Sequence, residues 1–115
     1  MKKLEIIIKP GDLDDLRELL EISEYHGVMI TNIMGCGNQR GMVEPKRKYR
    51  GEDAGINLLP KLKVEVVVTE EEAEQVIRQV CREIRTGNYG DGKVFIYNVD
   101  DIVRIRTGER GEDAL

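Results

Sequence analysis

The chain has 115 residues, 40% apolar and 35% charged, with a formal net charge of −4. That is one domain, residues 1–115, long enough to bury a real core. The acidic balance, with only four tyrosines and one phenylalanine, argues against nucleic acid as a partner, because basic footprint and stacking platform are both missing.

Lys3 to Lys9, KLEIIIK, places Leu4, Ile6 and Ile8 on one side and reads as a strand. PGD breaks it, and Asp12 is the candidate N-cap of a helix, with Asp15 three residues on. Leu13, Leu16, Leu19, Leu20 and Ile22 form the helical stripe, and Gly27 is the expected stop. Val28 to Met34, VMITNIM, is a second strand. The segment Gly35 to Lys61 then runs on without apolar periodicity, too long for an idle connection in a compact domain. KLKVEVVV, Lys61 to Val68, alternates Leu62, Val64, Val66 and Val68 against Lys61, Lys63 and Glu65. Thr69 and Glu72 stand at capping-box spacing before a second stripe of Ala73, Val76, Ile77, Val80, Cys81 and Ile84. TGNYGDGK separates this helix from the apolar VFIYNV; DIVRIR reads as a short extra strand and TGERGEDAL as a polar tail.

The order β-α-β, long loop, β-α-β predicts an α+β, ferredoxin-like double βαβ: an antiparallel sheet with two helices on one face. EIIIK and EVVV leave apolar side chains on both sheet faces, so association of copies is the simplest cover for the open one.

Candidate chemistry gathers in three places. Gly87, Gly90 and Gly92 with Lys93 could form a backbone nest for phosphate, although such a turn is most often only a turn. It is not a Walker loop, which ends in GK[ST] and opens a helix. Arg104 and Arg106, two apart on the expected strand, could clamp an anion or simply solvate an edge. Gly35, Gly37 and Gly41 around Gln39 make a permissive corner, and Lys61 and Glu65 would face the same side. His26 is the only histidine and is expected near a helix end, while Cys81 is expected to pack in the core. Two cysteines, Cys36 and Cys81, fit a reducing compartment. No nucleophile stands near a base at a recognisable spacing, so no catalytic residue and no enzyme are expected. No apolar run reaches the roughly 20 residues of a membrane span, and MKKLEIIIKP lacks a signal-peptide layout, so the expected location is cytoplasmic.

At TG…GDGKVF…VRIRTGE, with MKKLEIIIKP, GCGNQRG and YRG…LLPKLKVEVVV, the chain resembles the PII nitrogen-regulatory proteins (the GlnB/GlnK family) from end to end. The resemblance implies a homotrimer that binds ATP or ADP between subunits, Mg²⁺ with ATP, and 2-oxoglutarate beside it. It implies docking of a T-loop, here about 36–58, onto an ammonium transporter or another nitrogen-metabolism protein. A membrane would be met only through such a transporter. The C-terminal tail would be about 107–115. Carried over, Gly87, Gly90, Asp91, Gly92 and Lys93 hold phosphates, and Arg104 and Arg106 reach them from a neighbour. Ile7, Met29, Gly35, Cys36, Gly37, Glu65, Val66 and Val67 lie on the adenine and ribose side. Gln39 would ligate Mg²⁺, and Gln39, Lys61, Gly37 and Gly41 would receive 2-oxoglutarate.

Three departures stand out. Asn38 replaces a usual cation near the terminal phosphate, and Met29 replaces a threonine near the adenine. PKRK lengthens the loop, and the usual uridylylated tyrosine corresponds to Ala54. No modification is therefore expected, Tyr49 being the remaining candidate. The alternative to the full PII reading is a divergent adenine-nucleotide sensor with weak or no 2-oxoglutarate response. A ferredoxin-like enzyme or metal-binding protein is the third.

Overall fold

The computed structural model describes residues 1–22, 26–35 and 58–115. The expectations for Cys36, Gly37, Asn38, Gln39, Gly41, Tyr49, Ala54 and nearly all of the T-loop lie outside the described residues.

Strand β1 (Lys2–Ile8) leads through a 3-10 turn (Pro10–Asp12) into helix α1 (Leu13–Ile22). Strands β2 (Val28–Gly35) and β3 (Leu59–Val68) follow, then helix α2 (Glu70–Glu83), strand β4 (Lys93–Asn98) and a final 3-10 turn (Gly111–Ala114). The sheet order is β2-β3-β1-β4 and every pairing is antiparallel. The alternation predicted for β1 and β3 decides their register: Leu4 faces Val66 and Ile6 faces Val64. All four, with Ile8, Leu62 and Val68, are buried on one side against Leu16, Leu19 and Leu20 of α1 and Ala73, Val76 and Val80 of α2. Because side chains alternate across a strand, both helices must cover the same face. This is the double βαβ that the element order predicted.

Helix α2 starts as expected. Thr69 Oγ1 accepts from the Glu72 amide at 3.2 Å, and the Glu72 carboxylate accepts from the Thr69 amide at 2.9 Å. Thr69→Ala removes one side of this box and is expected to cost about 1 kcal/mol. A lower urea midpoint at unchanged slope would report it; an unchanged midpoint would refute it. His26, placed four residues beyond the end of α1, sets its Nε2 3.7 Å from the same Glu72 carboxylate.

Four expectations need correction. Asp12 does not cap α1: the chain enters the helix through the turn opened by Pro10, and the Asp12 amide donates to Lys9 O at 3.0 Å. Gly27 has no positive φ, so it is not the expected left-handed C-terminal stop; residues 23–25 before it lie outside the described residues. Cys81 is exposed. Val76, Val80 and Ile84 keep the i, i+4 line to the sheet, and Cys81 lies about 100° further round the helix. Residues 102–106 form no strand; a single bridge joins Val103 to Arg110. Asp101 folds this region back by accepting from the amides of Ile102 and Gly111 and from the Arg110 guanidinium. These bonds hold the start of the polar tail, which closes with the 3-10 turn Gly111–Ala114.

The face away from the helices carries Ile7, Met29, Val67, Phe95 and Tyr97 together with the Lys3–Glu65 and Lys63–Glu65 pairs, each 3.5 Å. Met29, Phe95 and Tyr97 are exposed there.

Candidate functional site

After α2 the chain must return to β4 beside β1. It does so with glycine wherever φ turns positive: Gly87 at 85°, Gly90 at 96° and Gly92 at 106°. Gly92 has a second reason. A Cβ there would stand 1.8 Å from the Ile7 carbonyl oxygen. The turn is thus pressed onto the end of β1, where Ile7 pairs with Lys93.

Asp91 holds the turn from inside. Its carboxylate accepts from the amides of Thr86 at 2.8 Å and Gly87 at 2.9 Å, and from the Thr86 hydroxyl. Lys9 lies 3.5 Å away. The Thr86 hydroxyl above all, then the two amides and Lys9, holds the Asp91 carboxyl down from 3.8 to about 2. Because the folded value lies below the unfolded one, this contribution to stability is present above pH 3.8 and is lost as pH falls toward 2. Asp91→Asn should therefore be less stable than the natural chain at pH 5–7, with the gap closing near pH 2. Urea melts across that range test it; a gap independent of pH would sink the assignment.

Lys61, at the start of β3, reaches the turn from the other side. It is only 9% exposed, and its ammonium donates to Gly90 O at 3.2 Å. Burial first, and Lys9 second, push the ammonium toward losing its proton, while Asp12 and Asp91 oppose them. Gly35 of β2 lies beside the Lys61 stem. Lys93 has no ion-pair partner among the described residues and is exposed. Alongside, a groove of about 250 Å³ opens between the turn, β1 and α2, lined by Ile7, Cys81, Arg85, Asp91, Gly92 and Lys93.

Of the residues singled out in the sequence, Ile7, Gly35, Lys61, Gly87, Gly90, Asp91, Gly92 and Lys93 converge here. Met29, Glu65 and Val67 stand further along the open face; four residues of strand, about 13 Å, separate Glu65 from Lys61. Val66 turns its side chain into the core. Arg104 is not paired with Arg106 on a strand face: its guanidinium donates to Leu115 O at 2.7 Å and meets Glu109 at 3.5 Å. Arg106 is exposed. Sequence reasoning missed Lys9, Asp12 and Thr86. Thr86 was the findable one, since a hydroxyl and a carboxylate flanking a glycine turn commonly bond across it.

The arrangement can do one thing well. Glycine-permitted backbone and lysines at its rim can hold an anion. No cluster of three or more His, Cys, Asp or Glu suited to a metal occurs among the described residues.

A family model described as nitrogen regulatory protein P-II matches residues 1–109. The chain is similar to the nitrogen regulatory protein P-II of Pasteurella multocida, 46% identical over all of both chains. It is 44% identical to nitrogen regulatory protein P-II 2 of Methanothermobacter thermautotrophicus, over its full length and 97% of that protein. Among solved structures, a GlnK–ATP complex from B. subtilis overlays with a TM-score of 0.79 at 32% identity, covering 99% of this chain and 94% of that one.

Proposed function

The chain belongs to the nitrogen regulatory protein P-II family, and on that premise we propose that it is a cytoplasmic signal-transduction protein that senses adenine nucleotides. It acts as a homotrimer and not as an enzyme. The observation that carries the reading is the turn locked on β1 by Gly92 and reached by Lys61, in a fold shared with a GlnK–ATP complex. The turn's backbone and Lys93 receive the phosphates of ATP or ADP. Arg106 of a neighbouring subunit, exposed and without an ion pair among the described residues, can add a cation. Arg104 would have to exchange Glu109 and Leu115 O for a phosphate. The exposed apolar residues of the open face support the trimer, because association would remove them from water.

Gln39 supplies Mg²⁺ with a ligand, and Lys61 pairs with a carboxylate of 2-oxoglutarate. These ligands select among states of the 36–58 segment and so decide whether it docks on an ammonium transporter or another nitrogen-metabolism protein. Isothermal titration with ATP and with ADP, each with and without Mg²⁺ and 2-oxoglutarate, tests the reading. Nucleotide binding that 2-oxoglutarate strengthens is the expected result. Nucleotide binding indifferent to 2-oxoglutarate would leave the divergent sensor that Asn38 suggests, and no nucleotide binding would overturn the proposal.

A further inference from the structure

Lys9, Asp12, Lys61 and Asp91 meet where β1 runs out. The fold accounts for two of them: Lys9 pairs with Asp91, and Asp91 is committed to Thr86 and Gly87. Asp12 is different. Its Oδ2 is buried and accepts no hydrogen bond, it caps no helix, and it has no ion pair among the described residues. Leaving a carboxylate oxygen in that condition is costly.

The 3-10 turn that carries Asp12 packs against β3, and the charge it acts on there is Lys61. Around that ammonium stand Lys9 from the end of β1, Asp12 from the turn, and Asp91 with Gly90 O from the glycine turn. From β2, among the described residues, Ile33 and Gly35 stand beside Lys61, and both are uncharged. Asp91 also acts on Lys61, but its carboxylate is already committed to Thr86, Gly87 and Lys9. Asp12 is thus the carboxylate left to compete for Lys61.

We propose that Asp12 is a specificity-determining residue of the Lys61 site: a built-in counter-charge that weakens any anion bound there, so that only ligands with further anchoring points are held. The inference rests on the reading of Lys61 as the residue that receives a carboxylate of 2-oxoglutarate. A single charge in a half-buried, partly solvated site changes anion affinity by about two- to tenfold. The effect narrows as salt screens it.

Two measurements on the full chain and on Asp12→Asn and Asp12→Ser decide it, with thermal melts confirming that each variant folds. The first follows the Lys61 ammonium through its titration by NMR of the ε-methylene in ligand-free protein. The second titrates 2-oxoglutarate at saturating Mg-ATP, at low and high salt and from neutral to alkaline pH. In both variants Lys61 should lose its proton at lower pH. At neutral pH and low salt 2-oxoglutarate should bind about two- to tenfold tighter, less so at high salt, with binding failing at lower pH than in the natural chain. An unmoved Lys61 titration, or an affinity for 2-oxoglutarate equal to or below the natural one, would overturn the inference. Should the natural chain bind no 2-oxoglutarate, the reading of Lys61 as the residue that receives its carboxylate falls on its own. The NMR titration, with inorganic phosphate as the probe anion, then still decides the role of Asp12.

Discussion

Gly92→Ala is expected to abolish nucleotide binding and to destabilise the ligand-free protein by roughly 2–6 kcal/mol, adding a disallowed backbone to an overpacked contact. At φ 106° an L-residue is strained whatever surrounds it. Here the new methyl would also stand 1.8 Å from Ile7 O and 2.9 Å from the Ile7 carbonyl carbon, which are backbone atoms of a central strand. Neither can move without breaking the pairing of β1 with β3 and β4. The turn must lift instead. Lifting it separates Lys61 from Gly90 and Asp91 from Lys9. Gly87→Ala is the control: its φ of 85° carries the strain, but nothing lies within 4 Å of the added carbon. It should cost only about 1–2 kcal/mol. Urea unfolding of both variants, with nucleotide titration, checks the pair. Equal costs would mean that the contact with Ile7 is not what makes glycine necessary at 92.

The parts of this molecule that were legible in the sequence are those where one local rule and the tertiary fold agree. Alternation in β1 and β3 set both register and buried face, because a slip of one residue would have moved Leu4, Ile6, Val64 and Val66 into water. Thr69 and Glu72 announced α2 because a capping box depends on its own four residues alone. The glycines of TGNYGDGK were visible as punctuation, but not why the third is indispensable: Ile7, which it touches, is 85 residues earlier.

Failures came where a local pattern was imitated. Val103 and Ile105 alternate with Arg104 and Arg106 as a strand would. Yet Gly108, at φ 74°, and the bonds gathered by Asp101 turn the chain back after one bridge, leaving Ile105 fully exposed. Asp12 sits at N-cap spacing, but Pro10 starts the helical turn earlier and carries Asp12 toward Lys61 instead. Lys61 alternates with the polar side of β3 and is nonetheless buried, because the glycine turn folds over it. Nothing in the spacing of β3 contains that contact.

Lys61→Met is expected to separate recognition from stability. The folded ammonium titrates below 10.5, so the unfolded chain holds that proton more tightly. The charged side chain therefore costs stability at neutral pH, and the cost is relieved as pH rises toward 10.5. Methionine keeps an apolar stem and removes that cost, but loses the bond to Gly90 O. The two changes oppose each other, so the melting free energy should move little. Affinity should not be spared. A charge-assisted contact of about 1.5–3 kcal/mol corresponds to roughly a 10- to 100-fold loss for 2-oxoglutarate. In the natural chain, that affinity should also decline as pH rises through the lowered titration of Lys61, whereas in Lys61→Met the Lys61 step should vanish from the profile. Titration of 2-oxoglutarate at saturating Mg-ATP between pH 7 and 10, beside urea melts of both proteins, measures all three quantities. A variant that binds as tightly as the natural chain would remove Lys61 from the site. One that unfolds at neutral pH would make Lys61 a structural residue, since the buried ammonium would then have to be worth more to the fold than its desolvation costs.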